Sequence, residues 1–153
     1  MNRIGGASVD DRMSLLSDFF IASPELAPCY PTERPPSSDR AEFNGLTYQE
    51  LSELWAVLEH VPWKPDHLKA FECVFMVDRG TVLIHRFPAP FVAALATLDE
   101  TDADAAASEW VKIGELAYLS CPPTEARRIL DAASRLAVRA QESGKSLYLY
   151  MCC

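Results

Sequence analysis

Residues 72–86, Glu72-Cys73-Val74-Phe75-Met76-Val77-Asp78-Arg79-Gly80-Thr81-Val82-Leu83-Ile84-His85-Arg86, decide the fold. Two runs of β-branched, aromatic and other apolar residues flank Asp78-Arg79-Gly80, where the glycine supplies the positive φ a tight turn needs. The stretch therefore reads as a β-hairpin over about residues 71–87. Both runs are apolar on both faces, so at least one strand is expected to be central and covered by helices.

Upstream lies a complete helix start in Leu46-Thr47-Tyr48-Gln49-Glu50-Leu51. Thr47 and Glu50 can cap each other's amides, with Leu46 and Leu51 at the two staple positions. Leu51, Leu54, Trp55 and Leu58 follow at helical spacing, giving an amphipathic helix over 47–60 that Pro62 and Pro65 end. Downstream, Pro88 and Pro90 introduce a short helix carrying Phe91, Val92, Leu95 and Leu98. Thr101 and Asp104 form a capping box that opens a helix to about Leu119, with Ala106, Trp110, Ile113 and Ala117 on its core face. After Pro122-Pro123 the last helix carries one stripe of Ala126, Ile129, Leu130, Ala133, Leu136, Ala137 and Ala140, with Gly144 at its left-handed C-terminal cap. Leu147 to Met151 closes the chain as a strand that must rejoin the sheet or be left as an apolar edge; burial is expected.

Towards the N-terminus, Ser17 to Ala22 fits a buried strand or a short helical turn, between which periodicity does not decide. Ser23-Pro24-Glu25 has the order of a helix start, and the prolines at 28, 31, 35 and 36 make residues 28–40 a loop. The fold class is therefore α+β, a small sheet of the hairpin and a C-terminal strand 146–151 packed against four to five helices. Residues 1–12 read as an extension with little structure, and 13–153 as a single α+β domain.

A chain of 153 residues with 49% hydrophobic and 24% charged residues has the composition of a packed core rather than of a disordered segment. Its formal net charge of −8 gains nothing from phosphate neutralisation, which argues against nucleic acid as a partner and for a basic protein surface. No apolar run reaches the length of a membrane span and no secretory pattern opens the chain, so a cytoplasmic, membrane-independent protein is expected.

Chemical motifs fail one by one. Gly144-Lys145-Ser146 imitates the end of a phosphate loop, but Arg139 stands where its first glycine belongs and the element order is reversed. Asp99-Glu100-Thr101-Asp102-Ala103-Asp104 lacks the glycine of a calcium loop and reads as an acidic helix start. Cys29, Cys73, Cys121, Cys152 and Cys153 have no zinc spacing, and are expected to be free, mostly buried thiols. His60, His67 and His85 also lack ligand spacing, so no metal or cofactor is expected. A Cys73–His85 nucleophile pair across the hairpin stays open as an enzymatic alternative, with His67 as a further candidate. Trp55 and Trp110 lie on helical core stripes, whereas Trp63, in Pro62-Trp63-Lys64-Pro65, either caps the core or is a binding anchor.

Ser14 to Ala22, Leu51-Ser52-Glu53-Leu54-Trp55, Arg86-Phe87-Pro88, Trp110 with Glu115-Leu116, and Gly144 to Tyr150 resemble a loose group of small bacterial proteins. That group includes candidate immunity proteins encoded beside polymorphic toxins. The resemblance carries no catalytic residues and implies a cytoplasmic protein that binds and blocks a toxin or effector. The expected contact surface is the acidic segment Asp99, Glu100, Asp102, Asp104 and Glu109 together with Trp63 and His67 of the 62–67 loop. An adaptor or regulatory protein is the remaining alternative.

Overall fold

The computed structural model describes residues 15–118 and 120–153. The expected extension over 1–12 lies outside the described residues. The strands are β1 Leu16–Ala22, β2 Arg40–Asn44, β3 Glu72–Val77, β4 Val82–Arg86 and β5 Ser146–Cys152. The helices are α1 Tyr48–Glu59, α2 Pro65–Lys69, α3 Ala89–Ala96, α4 Glu100–Trp110, α5 Gly114–Tyr118 and α6 Pro123–Ser143. The α+β class holds, with α1, α3, α4 and α6 as the longer helices.

The strands form one antiparallel sheet in the order β2-β1-β5-β4-β3. The C-terminal strand is thus its centre. Leu149 lies opposite Phe19 of β1 and His85 of β4, and β5 is buried at every position from Leu147 to Met151. Alternation along the strands explains why they read as apolar on both faces. Phe19, Ile21, Leu147, Leu149 and Met151 join the main core with α1, α3, α4 and α6. Phe20, Ile84, Tyr148 and Tyr150 face the other way. That second face is covered by Ala27 and Tyr30 of the segment between β1 and β2, not by an α-helix.

The helix boundaries follow their caps. Glu50 accepts the Thr47 amide at 2.7 Å, and Thr47 Oγ1 accepts the Gln49 amide at 3.1 Å, so the box at the start of α1 forms. Gly144 has φ 69° at the end of α6, and the Lys145 amide reaches back to the Ala140 carbonyl at 2.9 Å.

Six expectations are corrected. Ser23-Pro24-Glu25 starts a turn followed by a single 3-10 turn, Ala27–Cys29, because Pro28 and Pro31 remove amides a longer helix would use. The 28–40 loop ends on β2, whose five residues include two charges and an asparagine and so lack an apolar signature. Pro65–Lys69 is a single helical turn within what reads as a proline-bounded break. The α4 cap is Asp99, whose side chain accepts the Asp102 amide at 2.8 Å, rather than Thr101. That helix ends at Trp110, and Gly114, at φ 54°, opens the separate α5; Ile113 is half-buried and Ala117 exposed. Finally, all five thiols are free but none is buried: Cys73 and Cys153 are exposed, and the others half-buried.

Candidate functional site

α1 and α4 border the surface where some of the expected contact residues fall. The α1 residues Glu53, Ala56, Val57 and His60 recur at intervals of three and four, as do Asp102, Ala105, Ala106 and Glu109 on α4. The indole Nε1 of buried Trp110 donates to the Glu50 carbonyl at 3.0 Å, locking the last turn of α4 onto the first turn of α1. Between the two stripes lie two cavities of about 380 and 430 Å³. The first is lined by Val57, Leu58, Ala94, Leu98 and Ala106, with Asp102 at its rim; the second by Ala56, Val61, Trp63 and Ile113, with Glu53. Val57, His60 and Glu109 belong to both, so the cavities join into one trough.

The trough has an apolar floor and an acidic rim. Asp102 and Glu109 contribute exposed carboxylates, while Glu53 turns its carboxylate inward, one oxygen buried against Gly114 and the other accepting from Gln49 Nε2 at 3.0 Å. Among the described residues no Lys or Arg lines either cavity. Lys112 stands 3.9 Å from Glu109, a solvent-exposed pair that neutralises little. His60 ends α1 in the left-handed region, at φ 58°, which turns the chain so that Val61 and Pro62 lead back along the helix. Trp63 Nε1 then donates to Ser52 Oγ at 2.9 Å, and Ser52 donates to the Gln49 carbonyl at 2.7 Å. The Trp63 ring is thereby held in place while 38% of the residue stays exposed. Immobilising an exposed indole lowers the entropy cost of contacting a partner.

The expected contact residues divide. Trp63 and Glu109 line one end of the trough, and Asp102 and Glu109 the other. Asp99 is spent as the α4 cap. Glu100 and Asp104 point to α6 instead, where both bond the guanidinium of Arg127, which also holds Asp131. His67 is buried, with Nδ1 accepting the Lys64 amide at 3.0 Å and its ring edge-on to Trp55 at 5.0 Å, so it organises the 62–67 segment and presents nothing to solvent. Sequence reasoning missed Val57, His60, Val61 and Ala105 and placed Ala106 on the core face, where it is buried beneath the trough. The available signal was the outward side of each amphipathic stripe, unusually apolar at Val57 and Val61.

Cys73 and His85 are cross-strand partners whose side chains have other contacts. The Cys73 thiol donates to the Phe75 carbonyl, and the imidazole stacks on Tyr48 with centroids 4.2 Å apart. His85 Nδ1 is buried without a hydrogen-bond partner among the described residues, and burial pushes the imidazole below its usual 6.5. The folded state therefore binds fewer protons than the unfolded chain, and stability is lost as pH falls below about 6.5. His85→Phe keeps the ring on Tyr48 and removes both liabilities. Thermal unfolding from pH 7.5 to 5 is expected to find the variant more stable, with the gain growing towards acid; a constant difference across that range would refute the assignment.

The second sheet face holds a buried polar group. Asp18 is 2% exposed and accepts from the Tyr30 phenol at 2.7 Å, with Arg34 Nη1 at 3.5 Å. Burial pushes the carboxyl up, opposed by the Tyr30 hydrogen bond, and drives the phenol far above its usual range. Tyr30 stacks on Phe20 at 4.1 Å and contacts Tyr150 at 4.8 Å, so the carboxylate anchors the covering segment, at the edge of a cavity it lines with Arg34 and Glu42.

Among the described residues no cluster of three or more His, Cys, Asp or Glu could hold a metal ion, and no helix is long and apolar enough to cross a membrane. Comparison of the chain with protein-family models, with curated proteins and with solved structures returned no match.

Proposed function

We propose that the chain is a stoichiometric protein-binding module that occupies and neutralises a toxin or effector with a basic surface, acting in the cytoplasm in the manner of an immunity protein. One observation carries this reading: Trp63 at one end, Asp102 at the other and Glu109 at both line a trough with an apolar floor and an acidic rim. An apolar patch framed by like charges supplies both desolvation energy and steering of an oppositely charged partner. The formal charge of −8 adds a long-range field of the same sign.

The test is to purify the tagged full chain from its native cell, identify what accompanies it, and titrate the two purified proteins. One-to-one binding that abolishes the partner's toxicity is expected. Asp102→Lys with Glu109→Lys should weaken it about tenfold or more by placing like charges across the interface. A partner still toxic at saturation would sink the neutralising role; affinity indifferent to both reversals would move the contact surface elsewhere.

A further inference from the structure

Reading the chain as a protein-binding module, we infer that the trough receives an amphipathic α-helix from the partner, its apolar face on Val57, Ala106 and Trp63 and its flanking Lys or Arg residues at Asp102 and Glu109. Three observations carry the choice. First, both walls are α-helices, whose backbone groups are spent within the helix, so an extended segment laid between them finds no strand edge to pair with. A helix satisfies its own backbone and needs only side-chain contacts. Second, Ala56 on α1 and Ala105 and Ala106 on α4 line the walls, so a third helix can approach to the usual packing distance of about 8–10 Å. The stripes Glu53–His60 and Asp102–Glu109 each span about two turns, or roughly 10 Å, matching the apolar stripe from i to i+7 of a partner helix. Third, the rim charge selects the occupant. With carboxylates and no lining Lys or Arg among the described residues, the complement is an apolar stripe flanked by cations.

A second copy of this chain is the poorer occupant. Its helix richest in arginine, α6, has Arg127 tied to Glu100, Asp104 and Asp131, Arg128 to Glu125, and Arg139 to Asp39.

The probe is a synthetic peptide of about 12 residues with leucines at i, i+3, i+4 and i+7 and lysine or arginine elsewhere. Two controls accompany it: one with glutamate in place of the cations, and one of unchanged composition scrambled to break the stripe. The isotope-labelled full chain is followed by NMR and the affinities by calorimetry. The basic amphipathic peptide is expected to shift the Trp63 indole and the Ala105 and Glu109 amides, with both controls about tenfold weaker or worse. Ala105→Trp, at an exposed helix position, should plug the trough and weaken binding about tenfold while leaving the melting temperature unchanged. No shift at Trp63 and Glu109, or equal binding by the scrambled peptide, overturns the inference. So would trough resonances that move with protein concentration alone, which would assign the surface to a second copy. The two proposals fail separately. A neutralised partner that binds the Ala105→Trp chain undiminished removes the helix and leaves the neutralising role. A peptide seated in the trough while no partner is neutralised removes the role and leaves the helix.

Discussion

Replacing Trp110 by alanine is expected to cost about 3–5 kcal/mol of folding free energy. Trp110 is fully buried where α4 meets α1, and its loss opens a cavity the rigid surroundings cannot refill. It also removes the indole donor from the Glu50 carbonyl, the hydrogen bond that joins residues 60 positions apart. Against a total stability of about 5–15 kcal/mol for a domain of this size, the loss removes a large fraction. Trp110→Phe restores most of the apolar volume but not the donor, so it should fall between, at about 1–3 kcal/mol. Urea unfolding measures both: the midpoint should drop in that order with an unchanged denaturant slope. If phenylalanine and alanine cost the same, the hydrogen bond and not the volume would be the dominant contribution. Because α4 is one wall of the trough, Trp110→Ala should also weaken partner binding, whereas Ala105→Trp blocks the same surface without loss of stability.

Tyr30→Ala is the second large effect, again about 3–5 kcal/mol. The ring is sandwiched against Phe20 and Tyr150 on the second sheet face, and Arg34 lies over it at 5.0 Å. Removing it uncovers the aromatic side of the sheet and strands Asp18. Tyr30→Phe separates the two contributions, since it keeps the stack and deletes only the phenol donor to Asp18, a cost of about 1–3 kcal/mol at neutral pH. The pH dependence has a definite sign. The Asp18 carboxyl is raised above 3.8 in the folded state, so its favourable contribution is complete below that value and is lost as pH rises through the folded value. Because the phenol bond holds the carboxyl down, its deletion enlarges the loss, and the Tyr30→Phe penalty should shrink as pH falls towards 4. In an Asp18→Asn background the same substitution should cost less, and its penalty should no longer vary with pH. A penalty independent of pH in the parent would show that Asp18 does not depend on Tyr30.

Features that depend on near neighbours along the chain are readable from the residues alone. The Thr47–Glu50 box, the Gly144 cap, the α6 stripe and the β3–β4 hairpin all rest on contacts between near neighbours, and each is legible in the residues themselves. The burial of Trp55, Trp110 and the last strand followed from apolar pattern and length. Tertiary structure alone decided the rest. β5 sits between β1 and β4 because two strands distant in sequence pair with it, which no local pattern encodes. β2 is a strand because Phe43 and its neighbours lie beside an existing edge, not through propensity. The acidic segment looked uniform in sequence, yet helical geometry splits it. Glu100 and Asp104 turn to Arg127 across the α4–α6 contact, while Asp102 and Glu109 turn to the trough. His67 looked like a loop residue and is buried, because the Lys64 amide and the Trp55 ring hold it inward. The trough itself exists only where the outward faces of two helices are brought together, and charge and exposure at that meeting belong to neither sequence segment alone.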